Sequence, residues 1–406
     1  MLLGRKPVSF TLVSLNSLAQ VSGSKAGGRY ALPRQLAEHQ RRLITTSSLP
    51  AAGAGATASL PQCYISHSND PWTNLAFEEW LLRDVPEPTE KLFLYRNRSS
   101  IVLGRNQNPW IECDVPALDT LNVPLIRRQS GGGTVYHDMG NTNYSVMTSR
   151  DTFDRRTAAQ IVSNALNDHL DIPTKVNERN DVTLYGDKVS GSAYKVIGKA
   201  AYHHGTMLIN ADLTPLRILL KGKRENIISK GVTSVPSTVA NLQEASFTVD
   251  HSSFCDAVAR AYLYHYAKRP EDRPLLEEDL IVLTDEMAHG SSHIQKYRKT
   301  LKSWEWTWGQ TPEFTEIIPV SLTEGILSLH LRVKHGVIQE ARPSLSESQE
   351  AIQISKALVG KRYGTKDVQD ALMGVAPSKI TTHLASHLAH GAHVFPDDPL
   401  SPHLEQ

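Results

Sequence analysis

Cysteine is scarce in this chain, and long apolar runs are missing. Its 406 residues include three cysteines, Cys63, Cys113 and Cys255, and no C-x-x-C pair. This spacing excludes a disulfide framework and a cysteine-based zinc or iron–sulfur site. No stretch of about 18 uncharged apolar residues occurs, so we expect no membrane span. The sequence therefore predicts a protein of a reducing compartment that does not enter a membrane.

An excess of charge of either sign is also lacking. The 43 Lys and Arg residues face 42 Asp and Glu residues, a net charge of +1, which argues against binding nucleic acid through a basic surface. Neither the P-loop pattern G-x-x-x-x-G-K-[ST] nor the serine elbow G-x-S-x-G occurs. The length leaves room for two domains and fits an enzyme.

Residues 1–60 differ from the rest of the chain. They are basic and rich in Ser, Ala and Gly, and Glu38 is their one acidic residue. This composition predicts a mitochondrial import sequence followed by a disordered linker. A disordered tail and a secretory signal are the alternatives.

From Cys63 onward, helical and strand patterns alternate, which predicts a mixed α and β domain. A boundary is expected near Gly309–Pro312, followed by a small α+β appendage. One predicted helix begins at Pro71, and the others cover 157–170, 254–266, 347–359 and 366–374. The predicted strands cover 92–95, 101–103, 124–127, 143–147, 182–185, 206–209, 314–320, 326–333 and 336–340, the first two as a hairpin or near neighbours.

The first chemical segment is R-R-Q-S-G-G-G-T-V-Y-H-D at 127–138, between two predicted strands. Successive glycines suit a loop whose backbone passes close to a ligand and presents N–H groups to it. Arg127 and Arg128 precede the loop, and guanidinium groups match phosphate oxygens. The alternative is a flexible surface turn.

The second segment places Lys188 directly after the turn pair Gly186-Asp187. A lysine here could stabilise the charge that develops when a carboxylate attacks an α-phosphate, or it could be an ordinary solvated side chain. His203 and His204 open another predicted strand, and we favour a buried, hydrogen-bonded structural pair over metal ligands, so no metal site is predicted. None of these segments contains a cysteine, which argues against a thioester intermediate.

Together these segments resemble the lipoate–protein ligase A family of the biotin/lipoate ligase superfamily. The similar stretches lie in the same order over about 200 residues (an extent compatible with one domain): G-R-N-Q-N-P-W (104–110), R-R-Q-S-G-G-G-T-V-Y-H-D-M-G-N-T (127–142), R-N-D (179–181), G-D-K-V-S-G-S-A-Y (186–194), H-H-G-T-M-L-I-N-A-D-L (203–213), K-G-V-T-S-V (230–235) and S-W-E-W-T-W-G-Q (303–310).

The resemblance implies an α+β fold, with a mixed-sheet catalytic domain at 61–300, a small C-terminal α+β domain at 305–380 and a tail at 381–406. It also implies that lipoate and ATP, with Mg²⁺, form lipoyl-adenylate, and that the lipoyl group then passes to a lysine of a lipoyl domain. The implied acceptors are the acyltransferase subunits of 2-oxoacid dehydrogenase complexes and the glycine cleavage H protein. A monomer in the mitochondrial matrix is expected.

The resemblance also implies which residues bind nucleotide. They are Arg128, Gly132, Gly133, Thr134, Val135, Tyr136 and Lys188, with Asn180 and Asp181 as further candidates near the phosphates and metal. Lys188 would also be the catalytic residue, contacting the lipoate carboxyl or the acyl-phosphate oxygen.

Pro236 and Thr238 stand where arginines are common in bacterial ligases of this family. This departure leaves open a transferase that moves lipoyl or octanoyl groups between carrier proteins without effective ATP activation. A biotin–protein ligase is disfavoured because its G-R-G-R-x-G-R loop is absent. A non-enzymatic acyl carrier modified on Lys188 is disfavoured because carrier domains are short.

Overall fold

The computed structural model of the chain describes residues 60–85, 90–220, 224–270, 272–323, 325–344 and 348–388. The predicted import sequence lies outside these ranges apart from Leu60, and so does the predicted tail beyond residue 388. Within the described ranges, no helix combines the length and the apolar character that crossing a membrane requires.

The elements alternate along the chain. The strands are β1 Gln62–Ser66, β2 Lys91–Tyr95, β3 Ser100–Leu103, β4 Leu125–Arg127, β5 Val135–His137, β6 Asn141–Ser149, β7 Thr174–Val176, β8 Val182–Leu184, β9 Asp187–Ser190, β10 Ser192–Ile197, β11 Ala200–Leu208, β12 Ile227–Ser229, β13 Leu280–Leu283, β14 Phe314–Leu322, β15 Gly325–Lys334 and β16 Val337–Pro343. The helices are α1 Pro71–Arg83, α2 Pro109–Glu112, α3 Val115–Thr120, α4 Thr157–Leu170, α5 Leu213–Leu219, α6 His251–Ala267, α7 Asp285–Gly290, α8 Ser292–Lys302, α9 Trp304–Thr307, α10 Gln349–Leu358, α11 Lys366–Met373 and α12 Lys379–Leu388.

A six-stranded sheet forms the centre of the fold, in the order β10-β11-β6-β2-β1-β13. Strand β1 pairs in parallel with β2 and β13, whereas β2, β6, β11 and β10 pair antiparallel in succession. The predicted α+β fold with a mixed sheet is confirmed.

Helices cover both faces of this sheet. Helix α1 begins where the sequence predicts, with Asp70 at its N-cap and Pro71 in its first turn, because proline suits a position whose N–H has no helical partner. It packs with α8 against one face, through side chains such as Trp80 and Phe93. Helices α4 and α6 pack on the other face, around Val162 and Phe254.

The predicted hairpin between residues 92–95 and 101–103 is wrong. Strand β2 belongs to the central sheet, whereas β3 forms a separate three-stranded sheet in the order β4-β3-β5. Residues 96–99 carry the chain from one sheet to the other. A second small sheet has the order β7-β8-β9, and its β8–β9 hairpin turns at Gly186 as predicted.

The C-terminal region forms a four-stranded sheet, β12-β14-β15-β16, with α10 to α12 packed beside it. Its core includes Ile318 and Leu358 and is continuous with Trp110 of α2. Residues 381–388, placed in a tail by the sequence analysis, instead belong to α12, because Leu384 and Leu388 are buried in this core. The proposed boundary near residue 305 stays a prediction.

A buried carboxylate joins three parts of the C-terminal region. Glu316 of β14 is 1% exposed and contacts Arg224, Tyr363 and His387. The His387 ring lies 2.9 Å from a Glu316 carboxylate oxygen, and its hydrogen bond helps hold the pKa of Glu316 below its ordinary value despite burial. Helix α12 is thereby tied to the chain just before β12.

Candidate active site

The triglycine loop, residues 130–134, joins β4 to β5 and is built around the buried guanidinium of Arg128. Its Nε donates to Ser130 Oγ at 2.9 Å and its Nη1 to the Val102 carbonyl at 3.0 Å. Its Nη2 donates to the carbonyls of Gly131 and Gly133, at 2.5 and 2.8 Å. Burial lowers the pKa of Arg128 to about 10, so it stays protonated at neutral pH. The hydrogen bonds of the Arg128 guanidinium therefore hold the loop in its conformation.

Arg127 points away from this loop. Its guanidinium donates to the carbonyls of residues 104, 105, 107 and 307 and to Thr311 Oγ1. It is fully buried, and burial, with the nearby Arg105, lowers its pKa to about 9. Arg127 joins the 104–107 turn to the segment after α9 and is not exposed to a phosphate in this structure.

At two positions, the conformation of the triglycine loop requires glycine. Gly132 has φ of +84°, where a side chain would be strained. A Cβ on Gly104 would lie 2.0 Å from the Gly132 carbonyl oxygen, far inside van der Waals contact. The two backbones can touch only because residue 104 has no side chain.

Lys188 lies on β9, two residues after the hairpin glycine. Val182 pairs with Ser190 and Thr183 with Lys188, so the strand carries a bulge at Val189, a feature that redirects neighbouring side chains. The Lys188 ammonium lies 3.0 Å from Asp181 Oδ1. Its backbone is fixed as well: the Lys188 N–H donates to the Thr238 carbonyl and the Lys188 carbonyl accepts from Ala240.

The triglycine loop and the lysine meet at the start of β10. A Cβ built on Gly132 would lie 3.3 Å from Ala193 Cβ, and one on Gly191 would lie 3.6 Å from Lys188 Nζ. Gly132 and Lys188 thus flank the same three residues, 191–193. An anion held between them would meet backbone on one side and an ammonium on the other.

The other predicted binding residues take different positions. Asp181 is buried and contacts Lys188, whereas Asn180 has φ of +61° and accepts from Ser192 Oγ through its carbonyl. Val135 and Tyr136 lie on β5, where Tyr136 is 6% exposed and donates to Ser99 Oγ. The Tyr136 ring is therefore part of the core, and only its backbone borders the loop.

Thr134 connects the loop to residues 230–235, which we call the crossing segment. The Thr134 N–H donates to Ser234 Oγ at 3.1 Å, and its hydroxyl donates to Gln107 Oε1 at 2.8 Å. Gln107 Nε2 in turn donates to Ser234 Oγ at 2.9 Å. Ser234 also contacts the buried Glu112 carboxylate through its hydroxyl and its N–H.

Hydrogen bonds between buried polar side chains link the triglycine loop to helix α1. Ser130 Oγ lies 2.8 Å from His204 Nε2, and His204 Nδ1 lies 3.0 Å from the Glu78 carboxylate. His203 is 1% exposed, and burial lowers its pKa to about 4. Both histidines are buried, as expected, but of the two only His204 has the expected side-chain hydrogen bonds. Within the described residues, no group of three or more His, Cys, Asp or Glu side chains is arranged to hold a metal ion.

Residues 70–263 match the lipoyl protein ligase A/B catalytic domain. Over this range the chain is similar to lipoate–protein ligases, and it is an enzyme of the ligase or transferase class.

Solved structures show the same likeness. The chain is 26% identical to P. falciparum LipL1, solved in complex with lipoate, over 80% of this chain and 98% of that one, with a TM-score of 0.53. A lipoate–protein ligase A bound with ATP is 23% identical over 61% of this chain and 98% of that one, with a TM-score of 0.48. A Thermoplasma acidophilum ligase, described with its E2 lipoyl domain, is 22% identical over 62% and 96%, with a TM-score of 0.48.

The structure does not favour any of the three cysteines as a nucleophile. Cys255 Sγ lies 3.7 Å from His251 Nδ1, but burial raises the pKa of the Cys255 thiol and lowers that of the His251 ring to about 4. Burial also raises the thiol pKa of Cys63 and Cys113. Burial therefore disfavours the thiolate form on which the nucleophilicity of a cysteine depends.

The residues that join the parts of this site carry no signal in the sequence. Gln107, Glu112 and Ser234 lie in quoted stretches or beside them, yet nothing in their spacing shows that they meet. A cavity of about 320 Å³ adjoins them, lined by residues that include Asn108, Glu112 and Val232. It lies against α2 and the crossing segment, and neither Gly132 nor Lys188 lines it.

Proposed function

We propose that this enzyme activates lipoate with ATP to lipoyl-adenylate and transfers the lipoyl group to a specific lysine of a lipoyl domain. The observation that carries the proposal is the convergence of the triglycine loop and Lys188 on residues 191–193. The family match over residues 70–263 and the likeness to a lipoate-bound protein support lipoate as the acid.

In the first half-reaction, a lipoate carboxylate oxygen forms a bond to the α-phosphorus of ATP. The bond from that phosphorus to the oxygen bridging to the β-phosphate breaks, and pyrophosphate leaves. Two anions must be held together, which requires cations and backbone donors. Lys188, positioned by Asp181 and by the 238–240 backbone, supplies a fixed positive charge beside the carboxyl and the α-phosphate.

In the second half-reaction, the neutral ε-amine of an acceptor lysine attacks the lipoyl carbonyl carbon. A C–N bond forms, the bond from carbon to the phosphate oxygen breaks, AMP leaves and the amine loses a proton. Lys188 stabilises the negative charge that develops on the carbonyl oxygen. The proposed acceptors are the lipoyl domains of 2-oxoacid dehydrogenase acyltransferase subunits and the glycine cleavage H protein.

Asp181, buried beside Lys188, would be the carboxylate that meets a Mg²⁺ ion brought by ATP. One or two carboxylates together with substrate phosphates are a usual Mg²⁺ environment, so the residues fit the ion. Mg²⁺ would supply positive charge to the phosphates. Asp181 would then exchange part of its contact with Lys188 for the metal–nucleotide complex.

One observation favours a second candidate, a transferase that moves lipoyl or octanoyl groups between carrier proteins. The guanidiniums of Arg127 and Arg128 are engaged by protein carbonyls, and the exposed positions 236 and 238 carry no positive charge. Fewer cations than a triphosphate calls for would weaken ATP activation more than acyl transfer.

We also propose that the enzyme acts as a monomer in the mitochondrial matrix. The basic, Ser-rich composition of residues 1–60 supports this location. Import of a fusion of residues 1–60 to a fluorescent protein tests it, and exclusion of that fusion from mitochondria would contradict it.

Pyrophosphate release tests the activation step. The protein is mixed with lipoate and Mg-ATP without any acceptor, and Lys188→Ala is compared with Lys175→Ala, a matched change at an exposed strand position. We expect release from the unaltered protein and from Lys175→Ala, and a loss of about 100-fold or more in Lys188→Ala, as for removal of a charge-stabilising donor. No pyrophosphate, with transfer still supported by a lipoylated carrier, would favour the second candidate.

A further inference from the structure

The contacts of Ser234 link two parts of the site that are far apart in sequence. Its hydroxyl has one hydrogen to donate and two lone pairs to accept with. The hydrogen goes to the Glu112 carboxylate, and the lone pairs accept from Gln107 Nε2 and from the Thr134 N–H. The hydroxyl is fully satisfied: Gln107 and Glu112 belong to one short stretch of the chain, and Thr134 belongs to the triglycine loop.

We propose that Ser234, together with Glu112, positions the triglycine loop for the bound adenylate. This inference rests on the proposed function and names residues that act through the loop. Ser234 Oγ would also lie only 3.1 Å from a Cβ on Gly133, so the crossing segment and the loop are in direct contact.

The crossing segment has little other support at its middle. Val232 and Val235, which flank Ser234 closely, are 55% and 65% exposed, so they contribute little buried apolar surface. The Val232 N–H donates to the Asn106 carbonyl, which fixes the start of the segment. The position of the segment at the loop therefore depends on the hydrogen bonds of Ser234.

Glu112 is a buried carboxylate, with only 8% exposure. Burying a carboxylate is unfavourable unless hydrogen bonds satisfy it, and here the donors are the hydroxyl and the N–H of one residue. Such an arrangement holds Ser234 in one orientation. Its oxygen is thereby kept facing the Thr134 N–H.

Replacing Ser234 with alanine removes three contacts at once while leaving the segment its length. The Thr134 N–H and Gln107 Nε2 then lose the Ser234 hydroxyl, and the Glu112 carboxylate keeps only the N–H of residue 234. Lys188 keeps its contacts with Asp181, Thr238 and Ala240. A loosened loop with an intact lysine should weaken adenylate binding more than the chemical step.

The experiment measures transfer from synthetic lipoyl-adenylate to an apo lipoyl domain. For Ser234→Ala we expect KM for lipoyl-adenylate to rise about tenfold, the effect of losing a charge-assisted hydrogen bond, with kcat within about threefold of the unaltered protein. Ser234→Thr keeps the hydroxyl and should restore KM. Ser252→Ala removes an exposed hydroxyl of α6 and serves as the matched control.

Amide hydrogen exchange of peptides covering 128–137 is the second measurement, and it needs no activity. Exchange should be faster in Ser234→Ala than in Ser234→Thr, because the Thr134 N–H loses its acceptor. Unchanged KM together with unchanged exchange in Ser234→Ala would overturn the inference. Equal losses in Ser234→Thr and Ser234→Ala, with lowered Tm in both, would also overturn it and indicate a general structural role. Inactivity of the unaltered protein toward lipoyl-adenylate would instead contradict the proposed function, while the exchange comparison still decides the contact.

Discussion

Replacement of Arg128 by lysine distinguishes a residue that builds the triglycine loop from one that binds phosphate through its charge alone. Lysine keeps the positive charge but replaces a planar fork with a single ammonium. In this structure, the Arg128 guanidinium donates to Ser130 Oγ and to the carbonyls of Val102, Gly131 and Gly133. An ammonium cannot reach acceptors spread so widely.

The magnitude follows from these acceptors. Gly131 and Gly133 are partly exposed, so water can replace the guanidinium at their carbonyls. Val102 is 1% exposed, so its carbonyl loses the guanidinium without compensation from solvent, whereas Ser130 Oγ keeps its contact with His204 Nε2. An unsatisfied buried acceptor costs about 1–3 kcal/mol, and we expect Arg128→Lys to lower the free energy of unfolding by about that amount.

The assay combines urea unfolding with pyrophosphate release. Arg217→Lys, on the exposed surface of α5, is the matched control and should change stability by less than about 0.5 kcal/mol. We expect Arg128→Lys to lose both stability and activity. Full stability with a raised KM for ATP would refute the structural role argued here and favour a direct phosphate contact.

Two further predictions concern close approach and buried histidines. Gly104→Ala places a methyl group 2.0 Å from the Gly132 carbonyl oxygen and should displace the triglycine loop, which reduces pyrophosphate release. Gly290→Ala places its methyl group in open space and should leave pyrophosphate release unchanged. Equal activity of the two variants would contradict the close contact between Gly104 and Gly132. Burial is the main cause lowering the pKa of His137 to about 3 and of His203 to about 4. In the unfolded chain both histidines titrate near 6.5, so the unfolded chain takes up protons first as the pH falls, and the stability that the neutral buried rings contribute is present above pH 6.5 and is lost toward pH 4. Urea unfolding should therefore show a free energy of unfolding about 2 kcal/mol lower per histidine at pH 5 than at pH 7. Equal stability at the two pH values would count against neutral buried rings.

Local features of this fold could be read from the sequence. The helix over 157–170 has the predicted bounds, because a single apolar stripe defines it. The turn before Lys188 follows from Gly186-Asp187, a pair with strong turn preference. The closeness of Lys188 to the triglycine loop was an expectation from the resemblance, since no local pattern specifies it.

The contacts between distant segments could not be predicted. The Thr134–Ser234 hydrogen bond spans 100 positions in the chain and leaves no periodic signal. The sequence predicts a buried, structural His204, but nothing local pairs that ring with Glu78 on α1. Helix α12 was missed because a His- and Pro-rich ending masked the spacing of Leu384 and Leu388.

The place of β1 in the central sheet constrains the order of events during synthesis. Cys63 pairs with Leu280, so one edge of β1 has no hydrogen-bonding partner until β13 has been synthesised. Parallel pairing over so long a loop is slow, and an open strand edge invites association with other chains. Until residues 280–283 are in place, this edge of β1 remains open to pairing with another chain.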